Sequence, residues 1–184
     1  MWPWGHLAVA YLCYVALGLV LGRGGGESTR VTLLALAFGS QFPDLVDKPL
    51  AWWFGVLPSG RSLAHSLITA SVLLSAVYLV STRFDREEPA VAFAVGYVSH
   101  CFSDLGTDVV LGLLAGDANQ LRWTTYLLWP VLEPPPYAND SSFLAQLAAF
   151  KLNRSVLGQF VLVAAAVGWF GYRSLSSDAC RRGL

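Results

Sequence analysis

Two short stretches of this chain concentrate the side chains that can do chemistry. In residues 40–66, SQFPDLVDKPLAWWFGVLPSGRSLAHS, Asp44, Asp47, Lys48, Arg61 and His65 surround a tryptophan pair. In residues 100–104, HCFSD, His100 and Asp104 stand four apart, which on a helix is one face. Imidazole nitrogens and carboxylate oxygens are the donors of zinc, manganese and iron(II) sites. A His-x-x-x-Asp pair can hold one cation or bridge two; it is also the pattern of an intrahelical hydrogen bond or ion pair. Asp108 continues the stripe, as a further ligand or as a wet helix face. Singly, each remaining residue has an ordinary reading. His65 is then a satisfied core histidine, His6 an interfacial residue, Asp44 a turn residue after Pro43, and Asp47 a partner for Lys48.

Lys48 and Arg61 are the basic residues of the central stretch. Beside a metal they would clamp an anionic substrate, Arg61 through its planar fork. Otherwise they snorkel to lipid headgroups. No Walker loop, GxSxG elbow or HExxH occurs in the sequence, so nucleotide, serine-hydrolase and zincin chemistry have no footing. Cys13, Cys101 and Cys180 show no CxxC spacing and suggest neither a disulfide framework nor a thiolate site.

The elements that must position these residues are apolar. Of 184 residues 55% are hydrophobic and 13% charged, with mean hydropathy +0.52. That is the composition of an integral membrane protein rather than of a soluble domain, and the length suits a single domain, residues 1–184. The formal charge is zero and there is no basic tail, which argues against nucleic acid as a partner. The N-terminus, MWPWGH, lacks a basic n-region, so the first apolar run is expected to be a retained helix. An all-α bundle of about five spans is expected: 6–21, stopped by the glycines of 22–26; 31–42, closed by Pro43; 63–81; 90–114; and a long last helix, capped within 139–142, amphipathic to Arg154 and apolar over 156–172. Brief interfacial helices are expected near 49–54 and 123–132, with Pro134–Pro136 a firm break.

If each run crosses once, the N-terminus, the 40–62 stretch and the 114–154 region share one face. Six of the seven tryptophans fall there, as in an interfacial belt. At ~1.5 Å per helical residue, His100 lies roughly 16 Å from the opposite face, Asp44 about 20 Å, and His6 and His65 about 25 Å. All four then sit in one half of a ~30 Å hydrocarbon core, and ionisable groups at that depth are functional by default. The opposite face carries Arg23, Arg30, Arg83, Arg86, Arg173, Arg181 and Arg182, against Lys48, Arg61, Arg122, Lys151 and Arg154 on the site face. The positive-inside rule therefore places the C-terminus in the cytoplasm and the site outside. The triplets at Asn139 and Asn153 would face outward.

At these residues the chain resembles the membrane-bound metal-dependent hydrolases of the LexA-regulated, YdjM-like inner-membrane family. The resemblance rests on His6, the PDxxD element of Pro43, Asp44 and Asp47, the R-x-x-x-HS element of Arg61, His65 and Ser66, the G-x-x-x-H-x-x-x-D element of Gly96, His100 and Asp104, and Trp129-Pro130. Where members often carry HRGxTHS, Gly60 and Ala64 replace the first histidine and the threonine. The order of ligands is also similar, less closely, to a reduced zinc-dependent phospholipase C site. The resemblance implies a hydrolase of the cell membrane, multi-pass, acting on a phosphoester of a membrane lipid or a small anionic, phospholipid-like substrate. One or two divalent ions, zinc before manganese or iron, would be held by His6, Asp44, His65, His100 and Asp104. Asp47 would orient or deprotonate a metal-activated water, while Lys48 and Arg61 hold the anion. A metal-braced membrane protein without activity, and a small transporter lined by His100, Asp104 and Asp108, are the alternatives.

Overall fold

The computed structural model describes residues 1–22, 29–137, 142–148 and 150–182. Their regular secondary structure is helical, with no strand among them. In chain order the helices are α1 (Pro3–Val20), α2 (Arg30–Gly39), α3 (Phe42–Trp52), α4 (Leu67–Thr82), α5 (Glu87–Ser103), α6 (Thr107–Leu114), a 3-10 helix (Ala118–Leu128), α7 (Phe143–Ala148) and α8 (Arg154–Arg182).

Helix α1 begins at Pro3 rather than His6, because proline has no N–H to lose in a first turn. Over Pro3–Val20 and Arg154–Ser176, the helices are long and apolar enough to cross a membrane. Leu67–Thr82 is apolar but shorter. The expected second span is only ten residues, about 15 Å of helix, and it ends at Gly39 rather than at Pro43. Pro43 instead sits in the first turn of α3, so the 49–54 interfacial helix is the tail of a longer one.

The expected span 90–114 is two helices. Asp104 caps α5, and Gly106 at φ 79° breaks the chain before α6, a conformation glycine adopts without a β-carbon clash. Asp108 therefore leaves the His100–Asp104 stripe and is exposed. The 123–132 segment is covered in part by the 3-10 helix, and a cis Trp129–Pro130 bond follows it. The expected long last helix is likewise divided into α7 and α8. Of its proposed caps, residues 139–141 lie outside the described residues, as do 23–28. Ser142 does accept from the Ala145 N–H.

Helices α1, α2 and α4 pack against α5. The α2–α5 crossing is made by glycine on both sides. A β-carbon at Gly39 would collide with the Phe93 backbone, and one at Gly96 with the backbone of Leu36 and Ser40. That close approach brings the C-terminal end of α2 onto the His100 level of α5. Helix α8 lies along α1 in the same direction, since Trp4 stacks on Phe160 and Tyr11 meets Phe170.

Candidate metal centre

The cluster is assembled from four places in the chain. Asp44 comes from the first turn of α3, His65 from the turn before α4, His100 from the last turn of α5 and Asp104 from its C-cap. One ligand atom from each of these four lies within 4.8 Å of all the others. His65 Nε2 is 3.2 Å from His100 Nε2, 3.6 Å from Asp44 Oδ1 and 3.5 Å from Asp104 Oδ2. His100 Nε2 is 3.6 Å from Asp44 Oδ1. Two donors at ~2.0–2.1 Å from one ion, spread tetrahedrally, stand about 3.3–3.4 Å apart.

The outer partners decide which nitrogen carries the proton. His100 Nδ1 lies 2.6 Å from the Ser40 carbonyl, which only accepts, so Nδ1–H donates. His65 Nδ1 likewise donates to Asp47 Oδ2 at 2.8 Å. In their neutral forms both rings then turn a bare Nε2 lone pair inward. Two lone pairs at 3.2 Å repel unless a positive charge stands between them. Burial works against charge on His65, but Asp104 and Asp47 outweigh it and raise its pKa. The pocket is thus built around a cation, whether a proton or a metal. Asp44 Oδ1 makes the same point, being a buried acceptor with no hydrogen-bond partner among the described residues. This donor set fits a divalent ion.

His6 stands at the edge of the cluster. Its ring stacks on His100 with centroids 3.8 Å apart, and its Nδ1 is 2.9 Å from Ser103 Oγ. Ser103 Oγ donates to the His100 carbonyl, so His6 Nδ1 is the donor in that pair. His6 Nε2 is buried without a hydrogen bond, 3.1 Å from Asp104 Oδ1 but off the hydrogen-bonding direction. Oδ1 also meets the Met1 ammonium at 2.6 Å. Asp104 therefore turns Oδ2 to the four-residue cluster and Oδ1 to His6.

Asp47 does not face the cluster, which corrects the expected role of orienting or deprotonating a water. Its oxygens accept the backbone N–H groups of Ser62, Ala64 and His65 as well as His65 Nδ1. With lone pairs so engaged, it shapes the 62–66 turn and aims the His65 ring. Lys48 pairs with Asp44 Oδ2 at 2.5 Å, not with Asp47, and lies 5.5 Å from the Trp52 ring. Arg61 Nε donates to Asp104 Oδ2 at 2.7 Å while its guanidinium covers the Tyr137 ring at 4.3 Å. Burial disfavours the Arg61 charge, but Asp104 overrides it and the pKa is raised, so the guanidinium stays charged.

Several partners were not legible from residue types. The Tyr97 hydroxyl donates to the Ala64 carbonyl at 2.5 Å, Tyr126 to the Cys101 carbonyl, and Ser66 Oγ to the Trp129 carbonyl. Ser66 Oγ also accepts from the Ile68 N–H as the N-cap of α4. Together they hold the histidine-bearing turn against α5 and the Trp129–Pro130 bond. Ser40 acts through its carbonyl, so no side-chain pattern could reveal it. Ser103, three residues after His100, had a spacing signal that the HCFSD reading passed over.

The fold and site define an all-helical protein with apolar, membrane-length helices and a buried two-histidine, two-aspartate cluster that could hold a metal. The sequence model of the YdjM inner membrane protein family matches residues 1–176. The chain belongs to that family. Comparison with curated proteins and with solved structures returns no match.

Proposed function

We propose that this protein is a multi-pass, membrane-bound, metal-dependent hydrolase that cleaves a phosphoester of a lipid or other membrane-proximal substrate. The observation that carries the metal is the pair of inward Nε2 atoms at 3.2 Å, flanked by a bare Asp44 oxygen and by Asp104. Asp44, His65, His100 and Asp104 would hold one ion. His6 with Asp104 Oδ1 would complete a second, and zinc suits the nitrogen and oxygen donors. A divalent ion bound there would supply Lewis acidity and a water of lowered pKa.

The chain's own residues then divide the remaining work. Asp47 and the Ser40 carbonyl fix the tautomers and ring planes of His65 and His100, the usual role of partners behind metal-bound imidazoles. Asp44 would ligate through Oδ1, which is bare, while Lys48 holds Oδ2. Lys48 and Arg61 flank the two carboxylates and would receive the phosphoryl oxygens, Arg61 retaining further donors of its fork beyond Nε. Four of about five helical passes would be α4 and α5, of 16 and 17 residues, and the two longer helices, with the ten-residue α2 as the fifth, a partial one.

Full burial of His6, His65 and His100 favours a second reading, a metal that braces the helices without turnover. Metal analysis of gently purified protein, wild type against His100→Ala, tests the shared premise. Wild type is expected to carry metal and the variant to lose it, and two equally metal-free proteins would end both readings. Chelator-sensitive hydrolysis of a chromogenic phosphodiester in detergent separates enzyme from brace. Metal retained with no turnover on any phosphoester leaves the brace.

A further inference from the structure

Helix α1 starts without a cap of its own. Trp2, its N-cap residue, makes no side-chain capping bond, and the anchor comes instead from α8. Gln159, in the second turn of α8, is 4% exposed, and its Oε1 accepts the Trp2 N–H at 3.0 Å. Its Nε2 donates to the Ser155 carbonyl at 3.3 Å, so both ends of the amide are engaged and its orientation follows. Burying an amide is costly unless it is bonded, and this one lies in a helix long and apolar enough to cross a membrane.

Two features tie that amide to His6. The Trp2 carbonyl accepts the N–H groups of Gly5 and His6 at 2.9 and 3.2 Å, so Gln159, Trp2 and His6 are joined by consecutive hydrogen bonds. The other feature is Gly5. A β-carbon there would stand 2.6 Å from Gln159 Oε1, so the first turn of α1 carries a glycine, at some cost to the helix, where the amide enters. Phe160, the next residue of α8, stacks on Trp4 and grips the same turn.

We propose that Gln159 is a positioning residue of the metal centre, fixing the start of α1 so that His6 Nε2 and Asp104 Oδ1 can hold a second ion. The inference rests on the two-ion form of the metal reading above. Helix ends fray, and His6 is only the fourth residue of α1. Yet its ring is fully buried and stacked on His100 at 3.8 Å, with Nε2 3.1 Å from Asp104 Oδ1 and without a hydrogen bond among the described residues. Oδ1 already draws one cation, the Met1 ammonium at 2.6 Å. An amide serving only to join two helices can bond anywhere along their contact. This one bonds at the turn that leads into His6.

The test titrates zinc into metal-free, full-length protein in detergent, with a chelating dye as competitor. It compares wild type, His6→Ala, Gln159→Leu and Gln159→Glu. Wild type is expected to bind two ions. Gln159→Leu keeps the size and removes the acceptor. It should weaken one ion about 10-fold or more, the same ion that His6→Ala loses, and leave the other unchanged. Gln159→Glu keeps an acceptor oxygen in either protonation state and should bind both ions as wild type does. Gly5→Ala, which presses on the amide from the other side, should reproduce Gln159→Leu and keeps the test open if that variant misfolds. Three results overturn the proposal while the metal reading stands: both ions bound by Gln159→Leu as by wild type, both weakened alike, or Gln159→Glu no better than Gln159→Leu. A wild type holding a single ion overturns it as well. A wild type holding none ends the metal reading and this inference with it.

Discussion

Asp47 shows how far a residue's work can lie from the chemistry it serves. It is fully buried and collects three backbone N–H groups together with His65 Nδ1. Truncation strips a turn of its anchor and a ligand of its orienting partner. Asp47→Ala should lower stability by about 3–5 kcal/mol, the cost of breaking a buried charged pair, read from urea denaturation in detergent. In whatever fraction folds, metal affinity should fall about 10–100-fold, measured by competition with a chelating dye. An unaltered affinity would show that His65 is aimed by something else. Ser40→Ala is the matching control. The Ser40 group that meets His100 is its carbonyl, while its hydroxyl donates to the Ala37 carbonyl and accepts from Gln41 Nε2, away from the cluster. Metal content in that variant should equal wild type.

At the scale of elements, the site depends on how near α2 comes to α5. Gly39 and Gly96 let the two backbones touch, and the same crossing sets the Ser40 carbonyl against His100 Nδ1. Gly96→Ala places a methyl against the backbone of Leu36 and Ser40, where no side chain can yield. The expected loss is about 1–3 kcal/mol from overpacking. Because the displaced group is the His100 partner, metal affinity should fall as well. Gly168→Ala, on α8 with open space where the β-carbon would go, should leave both unchanged. If Gly96→Ala behaves like Gly168→Ala, the α2 and α5 backbones do not meet at Gly96.

At the scale of the molecule, the cluster sits at one end of the apolar helices. His6 lies in the first turns of α1, and α8 runs parallel beside it. The expectation from the distribution of arginine and lysine is that this end faces outside and the C-terminus the cytoplasm. In a cysteine-free background, Val56→Cys, exposed beside the site, should react with an impermeant maleimide in intact cells, and Ser176→Cys should be protected. The opposite pattern would move the site to the cytoplasmic side. Removing a metal held by the cluster would also be a whole-molecule perturbation, since the candidate ligands come from α3, α5 and the turn before α4. Stripping an ion present at 100 times its Kd should destabilise the protein by about 2.7 kcal/mol, seen as a lower melting temperature with chelator that added metal restores.

The sequence by itself determined the helical class, the family and the residue types that meet at the cluster. Charges are scarce among so many apolar residues, and the cost of placing them there leaves few purposes beyond a site. His100 and Asp104 were legible because a helix turn joins them. The sequence also suggested one continuous helix over 90–114, and hydropathy could not reveal the break, which rests on a single glycine at positive φ. It presented Asp44, Asp47 and His65 as neighbours without saying which would face inward. Only the tertiary structure decided that, by spending Asp47 on the backbone of the 62–66 turn and leaving Asp44 Oδ1 bare. Ser40 could not be foreseen at all. Its contribution is a carbonyl common to every residue, and what makes it a partner of His100 is the crossing of two helices at glycine.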